Sequence, residues 1–125
     1  VVSENSNPDS VIINKIFKMH YRDDSVNYSS EGMQSDYLEL ISELCENRGI
    51  KLYLVSSPYH KDYLKRISPK YIDHLSAALE GVKYTKYIDF ITDDVASGFM
   101  SDANHLNSLG SSYYTRKLLE EISVK

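Results

Sequence analysis

Tryptophan is absent from this chain, and cysteine occurs once, at Cys45. A single thiol closes no intrachain disulfide and builds no cysteine-based zinc cluster. Its place among leucines, in a stretch of helical period, gives Cys45 the reading of a buried apolar thiol. Basic runs are equally scarce. The nearest approach, "HKDYLKR", is interrupted by Asp62, and the formal net charge is -4. Neither nucleic acid nor an acidic membrane surface is expected as a partner. No apolar run approaches the roughly 18 residues that a membrane span needs, so membrane insertion is not expected. No signal peptide is recognisable, and the chain opens on Val1 instead of Met, as a processed product or a fragment would. Cytoplasm and export both stay open as locations.

What is present is an ordinary globular composition, 42% hydrophobic and 26% charged over 125 residues. That length predicts a single domain, residues 1–125, with a core of its own. The eleven tyrosines read first as large amphipathic packing residues. Residues 1–34 are hard to assign: "SENSNPDS" is turn-forming, "VIINKIF" fits a short strand or a helical turn, and "HYRDDSVNYSSEG" is loop-like.

From Ser35 the pattern sharpens. "SDYLELISELCENRG" predicts an amphipathic helix with Ser35 as N-cap and Gly49 as its left-handed terminus. Its inward stripe would hold Leu38, Ile41, Leu44 and Cys45, widened by Tyr37 and Leu40. "IKLYLVSSP" follows as a strand covered on both faces. "PYHKDYLKRISPKYIDHLSAALEG" gives one or two helices, the second capped by Ser68 with Pro69 at its first position. "VKYTKYIDF" is a second strand, and the polar loop "ITDDVASGFMSDANH" leads to a last helix over 108–123. That helix would turn Leu109, Tyr113, Leu118, Leu119 and Ile122 inward. Helices alternating with strands predict an α/β layered domain with a parallel sheet. Its chemistry would gather at the carboxyl ends of the strands. Both "SSPYH", with Tyr59 and His60, and the loop after "YIDF" leave strands at that edge.

The chemistry-bearing stretch is "FMSDANHLNSLG". An aspartate and a histidine separated by two residues meet across a tight turn, the carboxylate taking the Nδ1–H and leaving Nε2 as a base. Asp102 and His105 have that spacing, and Asn104 and Asn107 favour turns. Taken alone the spacing is common, and a capping or ion-pair role fits it equally. A metal site on Asp102, His105 and His60 matches no standard ligand spacing. His74 and the aspartates Asp89, Asp93 and Asp94 read as solvated, loop or capping residues, while His20 falls in the unassigned third.

The longer segment "SDANHLNSLGSSYYTRKLLEEI" resembles the last block of the SGNH (GDSL-like) hydrolases, including acyltransferase-like branches acting on carbohydrate. There an Asp-x-x-His-Leu-Asn-x-x-Gly segment opens the final helix. Here those positions are Asp102, His105, Leu106, Asn107 and Gly110. "ENRGIKLYLVSSPYH" and "YIDF" resemble the family's late helix–strand element and the short strand before its catalytic loop. The resemblance covers about Ser35 to Lys125. It implies a flavodoxin-like three-layer α/β/α sandwich with a parallel sheet, incomplete on its N-terminal side. It also implies chemistry on an acyl ester, often an acetyl group on a sugar, without a cofactor or metal. His105 would be the general base and Asp102 its orienting partner, with Tyr59, His60 and Asn107 expected along the substrate, helix entry fitting His60 equally well.

The family's nucleophilic serine sits in a Gly-Asp-Ser block after the first strand, and a Gly-x-Asn-Asp block adds oxyanion donors. This chain has neither. Ser3 and Ser10 lack the glycine before them, and every glycine lies at Gly32 or later. The expectation is therefore the C-terminal part of an SGNH-like hydrolase or O-acyltransferase, close to inert alone. A homodimer, or a missing N-terminal part, would cover the apolar surface left open. The competing expectation is a non-catalytic carbohydrate- or protein-binding module on the same fold.

Overall fold

A computed structural model describes residues 8–20 and 31–123, with side chains from 36 onward in the second stretch. The order is α1 (Ser10–His20), α2 (Glu31–Asn47), β1 (Tyr53–Ser56), α3 (Lys61–Leu64), α4 (Pro69–Leu79), β2 (Lys86–Asp89) and α5 (Ser108–Ser123). A short 3-10 turn at Ser97–Phe99 lies between β2 and α5. The two strands pair side by side. Thr85 N–H donates to the Leu52 carbonyl and Phe90 N–H to that of Ser56, so the partners advance together and the pair is parallel. The protein is thus a small mixed α/β chain. Two compact units share it: Val1–Arg22 with Val55–Arg66 and Ile88–Lys125, and Asp23–Leu54 with Ile67–Tyr87.

In the first unit, α1 replaces the undecided reading of "VIINKIF" with a helix. Asp9 caps it, its carboxylate accepting from Val11 N–H at 3.1 Å and from the Ser10 hydroxyl at 3.2 Å. Ile13 is buried, and Phe17 sets its ring edge-on to Tyr63 of α3 at 5.8 Å. His20, expected in a loop, ends α1, its Nδ1 2.7 Å from the Tyr63 hydroxyl. The segment after β2 was expected to be a polar loop, yet it carries much of this unit's core. Ile91, Val95, Met100 and Ala103 are all buried. Single apolar residues between turn formers leave no periodic trace, so their burial is invisible to pattern reading.

The final helix spans the expected residues but is rotated. Leu109, Tyr113 and Leu119 face outward, while Gly110 and Tyr114 are buried and Leu118 and Ile122 half-buried. Gly110 sets this phase. An ideal Cβ there would lie 2.2 Å from the Phe99 carbonyl oxygen and 2.9 Å from Phe99 Cβ. The helix therefore touches the loop at its one position without a side chain, and Tyr114 and Leu118 follow on the same face at four-residue steps.

In the second unit, α2 begins four residues before Ser35, which is an interior residue of the helix and not its cap. Gly49 takes φ +64° after the helix end, as the left-handed terminus requires. The buried face is not the most apolar one. Ser42 is 2% exposed, donating to the Lys83 carbonyl at 2.8 Å and accepting from Lys83 N–H at 2.7 Å. Leu38 and Cys45 beside it are half-buried, so Cys45 is not the fully buried thiol expected. Tyr37, Leu40, Ile41 and Leu44, expected inward, are 49–62% exposed. The run expected as the first strand likewise departs from expectation: Ile50, which precedes β1, and Val55 within it are exposed. Ser68 does precede α4 with Pro69 at its first turn, though without a side-chain bond, and α4 stops before Gly81.

Two substitutions check this account by urea unfolding. Gly110→Ala forces backbone away from backbone and should cost at least about 2 kcal/mol. Ser42→Ala strands both polar groups of the Lys83 backbone and should cost about 2 kcal/mol. A loss under about 0.5 kcal/mol, the size of an ordinary surface change, would refute the corresponding contact.

Candidate functional site

The loop after β2 is secured at Asp89 and at Asp93. Asp89, at the strand end, accepts Ile91 N–H on its carboxylate at 2.9 Å. Asp93 takes the Lys117 ammonium at 2.5 Å, and that ammonium lies 5.1 Å from the centroid of the Phe90 ring and 5.7 Å from that of Tyr114. Burial pushes the Tyr114 phenol up to about 12, helped by the charge of Asp93 and a hydrogen bond to it. The hydrogen bond to Asp93 raises Lys117 above its usual value against some desolvation.

Beyond the 3-10 turn the chain folds back on itself as a two-stranded ribbon. Met100 and Leu106 form an antiparallel bridge. Ser101 N–H donates to the His105 carbonyl and Asn107 N–H to that of Phe99, both at 2.8 Å. Asn107 then caps α5. Its Oδ1 accepts Gly110 N–H at 3.0 Å, and its amide donates to the Gly98 carbonyl at 2.6 Å. Both ends of the Asn107 carboxamide are thus engaged within the loop, which makes it a holding residue for this turn.

Asp102 and His105 occupy the ribbon's tip. Asp102 Oδ1 accepts the backbone N–H of Asn104 at 3.0 Å and of His105 at 2.9 Å, closing the turn. The imidazole Nδ1 lies 3.0 Å from each carboxylate oxygen. An ionised carboxylate only accepts, so Nδ1 carries the hydrogen and Nε2 the lone pair. Asp102 is 25% and His105 69% exposed, so the ring that carries this second nitrogen is the more accessible member of the pair. Among the described residues, no hydroxyl bonds to that nitrogen.

His60 approaches this tip through its backbone, its N–H donating to the Ala103 carbonyl at 2.9 Å. The "SSPYH" segment and the Asp-x-x-His turn are therefore brought together. The His60 ring is buried and works locally: Nδ1 accepts Asp62 N–H at 3.2 Å as the cap of α3. Tyr59 sets its ring against Tyr63, centroids 5.4 Å apart. Ser10, in the first turn of α1, is engaged with Asp9, and Ser3 lies outside the described residues. Among the described residues, no three His, Cys, Asp or Glu side chains gather as metal ligands, and no helix is long and apolar enough to cross a membrane. Asn104 Oδ1 is buried with no partner among the described residues.

Sequence reading missed Asp93, Tyr114 and Lys117 as the fastening of this loop. The available signal was the Tyr114–Lys117 spacing on one helix face. Comparison with family models, with curated proteins and with solved structures returns no match.

Tyr114 gives a readable consequence. Its raised value means the folded state holds a proton that the unfolded chain releases, so stability falls as pH climbs from 10 toward about 12. Phenolate absorbance should still be rising as pH approaches about 12, and Tyr114→Phe should remove part of that late rise. A variant titrating like the wild type would disprove the assignment.

Proposed function

We propose that this chain is the acid–base-bearing C-terminal part of an SGNH-like ester hydrolase or O-acyltransferase, within a flavodoxin-like α/β/α sandwich. The observation carrying the reading is the Asp102 carboxylate placed 3.0 Å from His105 Nδ1 through both oxygens, on an imidazole that is mostly exposed. In an acyl transfer, Nε2 takes the proton of an attacking hydroxyl as its oxygen bonds the acyl carbon. The imidazolium then returns that proton to the departing alkoxide as the ester bond breaks. Asp102 holds the ring in one tautomer and stabilises the imidazolium. The attacking hydroxyl belongs to a serine outside the described residues or, much less effectively, to water. The substrate class is an acyl ester, including an acylated carbohydrate.

One observation favours a second reading. Asp102 Oδ1 already closes the turn by accepting two backbone N–H groups, which a non-catalytic binding module would need as well. Asp102→Asn separates the two, because an amide oxygen still closes the turn but no longer fixes the imidazole. On an activated acetyl ester at neutral pH, the chain should show slow turnover above buffer. His105→Ala should remove the greater part, and Asp102→Asn should lower it about tenfold, well short of the loss in a complete triad. Equal rates for all three proteins would sink the acid–base reading and leave the module.

A further inference from the structure

We propose that the exposed apolar stripe of α2 is the docking site for α1 of a second copy of this chain, the contact being made reciprocally across a two-fold axis. The inference stands apart from the ester-chemistry reading and survives or fails without it. The stripe consists of Tyr37, Leu40, Ile41 and Leu44, each about half exposed or more. Their spacing is that of a continuous helix face, about 10 Å long at 1.5 Å per residue. Ser42 on another side of the helix is the group tied into the second unit. The most apolar face of α2 is therefore the one the described residues of its unit leave open, which is unfavourable in water unless something covers it.

Charge identifies the occupant. The exposed Asp36 and Glu43 flank the stripe, and α2 contains no lysine or arginine. Pairing α2 with α2 of another copy would set these carboxylates against one another, so a partner of opposite sign is favoured. The first helix has that character. It contains no acidic residue, its inward side holds Ile13 and Phe17, and its outward side carries Val11, Ile12 and Met19 with Lys15 and Lys18. Val11, Lys15 and Met19 follow at four-residue steps over about 12 Å, close to the length of the α2 stripe. Lysine stems add apolar cover while their ammonium groups reach the flanking carboxylates. A contact made twice about a two-fold axis closes as a dimer.

Sedimentation equilibrium of the whole chain up to about 100 µM tests the contact, since specific interfaces of modest size hold in the micromolar range. A dimer is expected, with a dissociation constant that rises with salt. Leu40→Asp should abolish it, and circular dichroism should be unchanged because the side chain is more than half exposed. Lys15→Glu and Glu43→Lys should each weaken it about tenfold, while the double variant should return to within about threefold of wild type. A monomer throughout, an open series of larger species, or a double variant no tighter than the singles overturns the proposal. The charge-swap series decides the matter even if Leu40→Asp unfolds.

Discussion

The carbonyl oxygen of Phe99 occupies the space where a side chain at 110 would begin, and the loop around His105 is organised by that approach. Because Gly110 permits it, α5 starts flush against the ribbon instead of being held off by a methyl group. Asn107 can then reach both Gly98 and Gly110, which fixes the ribbon's base. One turn further on, Tyr114 meets the Phe90 ring edge-on at 5.3 Å. Lys117 follows over the same ring and draws in Asp93. The glycine thus sets the rotation of α5, and the rotation places the groups that fasten the loop to it. His105 touches none of these residues through its side chain, yet its position depends on them through the backbone.

Legibility followed periodicity. The helices at 69–79 and 108–123 were readable because apolar residues recur at helical steps and Pro69 and Gly110 mark their first turns. The inward face of α5 was not, because the dominant contact is a glycine, which contributes nothing to a hydrophobic pattern. In α2 the pattern itself misled: its strongest apolar stripe is open, and a serine bonded twice to the Lys83 backbone turns inward. An apolar stripe records that a helix face is made to be covered, and it does not say by what. The same holds for the run expected as the first strand, whose continuous apolar pattern implied two covered faces while Ile50 and Val55 are exposed.

The Asp102–His105 pair was legible for another reason, since both partners lie inside one turn and spacing nearly determines their geometry. Turn-forming Asn104 and Asn107 were readable signals too. What the sequence did not disclose is how the turn is supported. The link from His60 to Ala103 is a backbone bond between distant segments, and backbone bonds carry no residue signature. His60 stayed open between a place along the substrate and helix entry, and its ring serves as a helix cap. An imidazole expected at the substrate and an imidazole completing a helix end look alike in one dimension.

Apart from the His60 link, the contacts that shape the ribbon and its tip join residues between Asp89 and Lys117, a continuous stretch of chain. Contacts of short sequence separation close with little loss of loop entropy. The tip should therefore assemble early in folding, before the more distant strand pairing is complete. It should also hold its amide protons against exchange whenever α5 is docked, regardless of fluctuations in the second unit. For inheritance, the consequence is that the aspartate–histidine geometry travels as one contiguous cassette. Insertions, deletions or recombination upstream of β2 that spare the His60–Ala103 bond can reshape what surrounds the pair without re-aiming it.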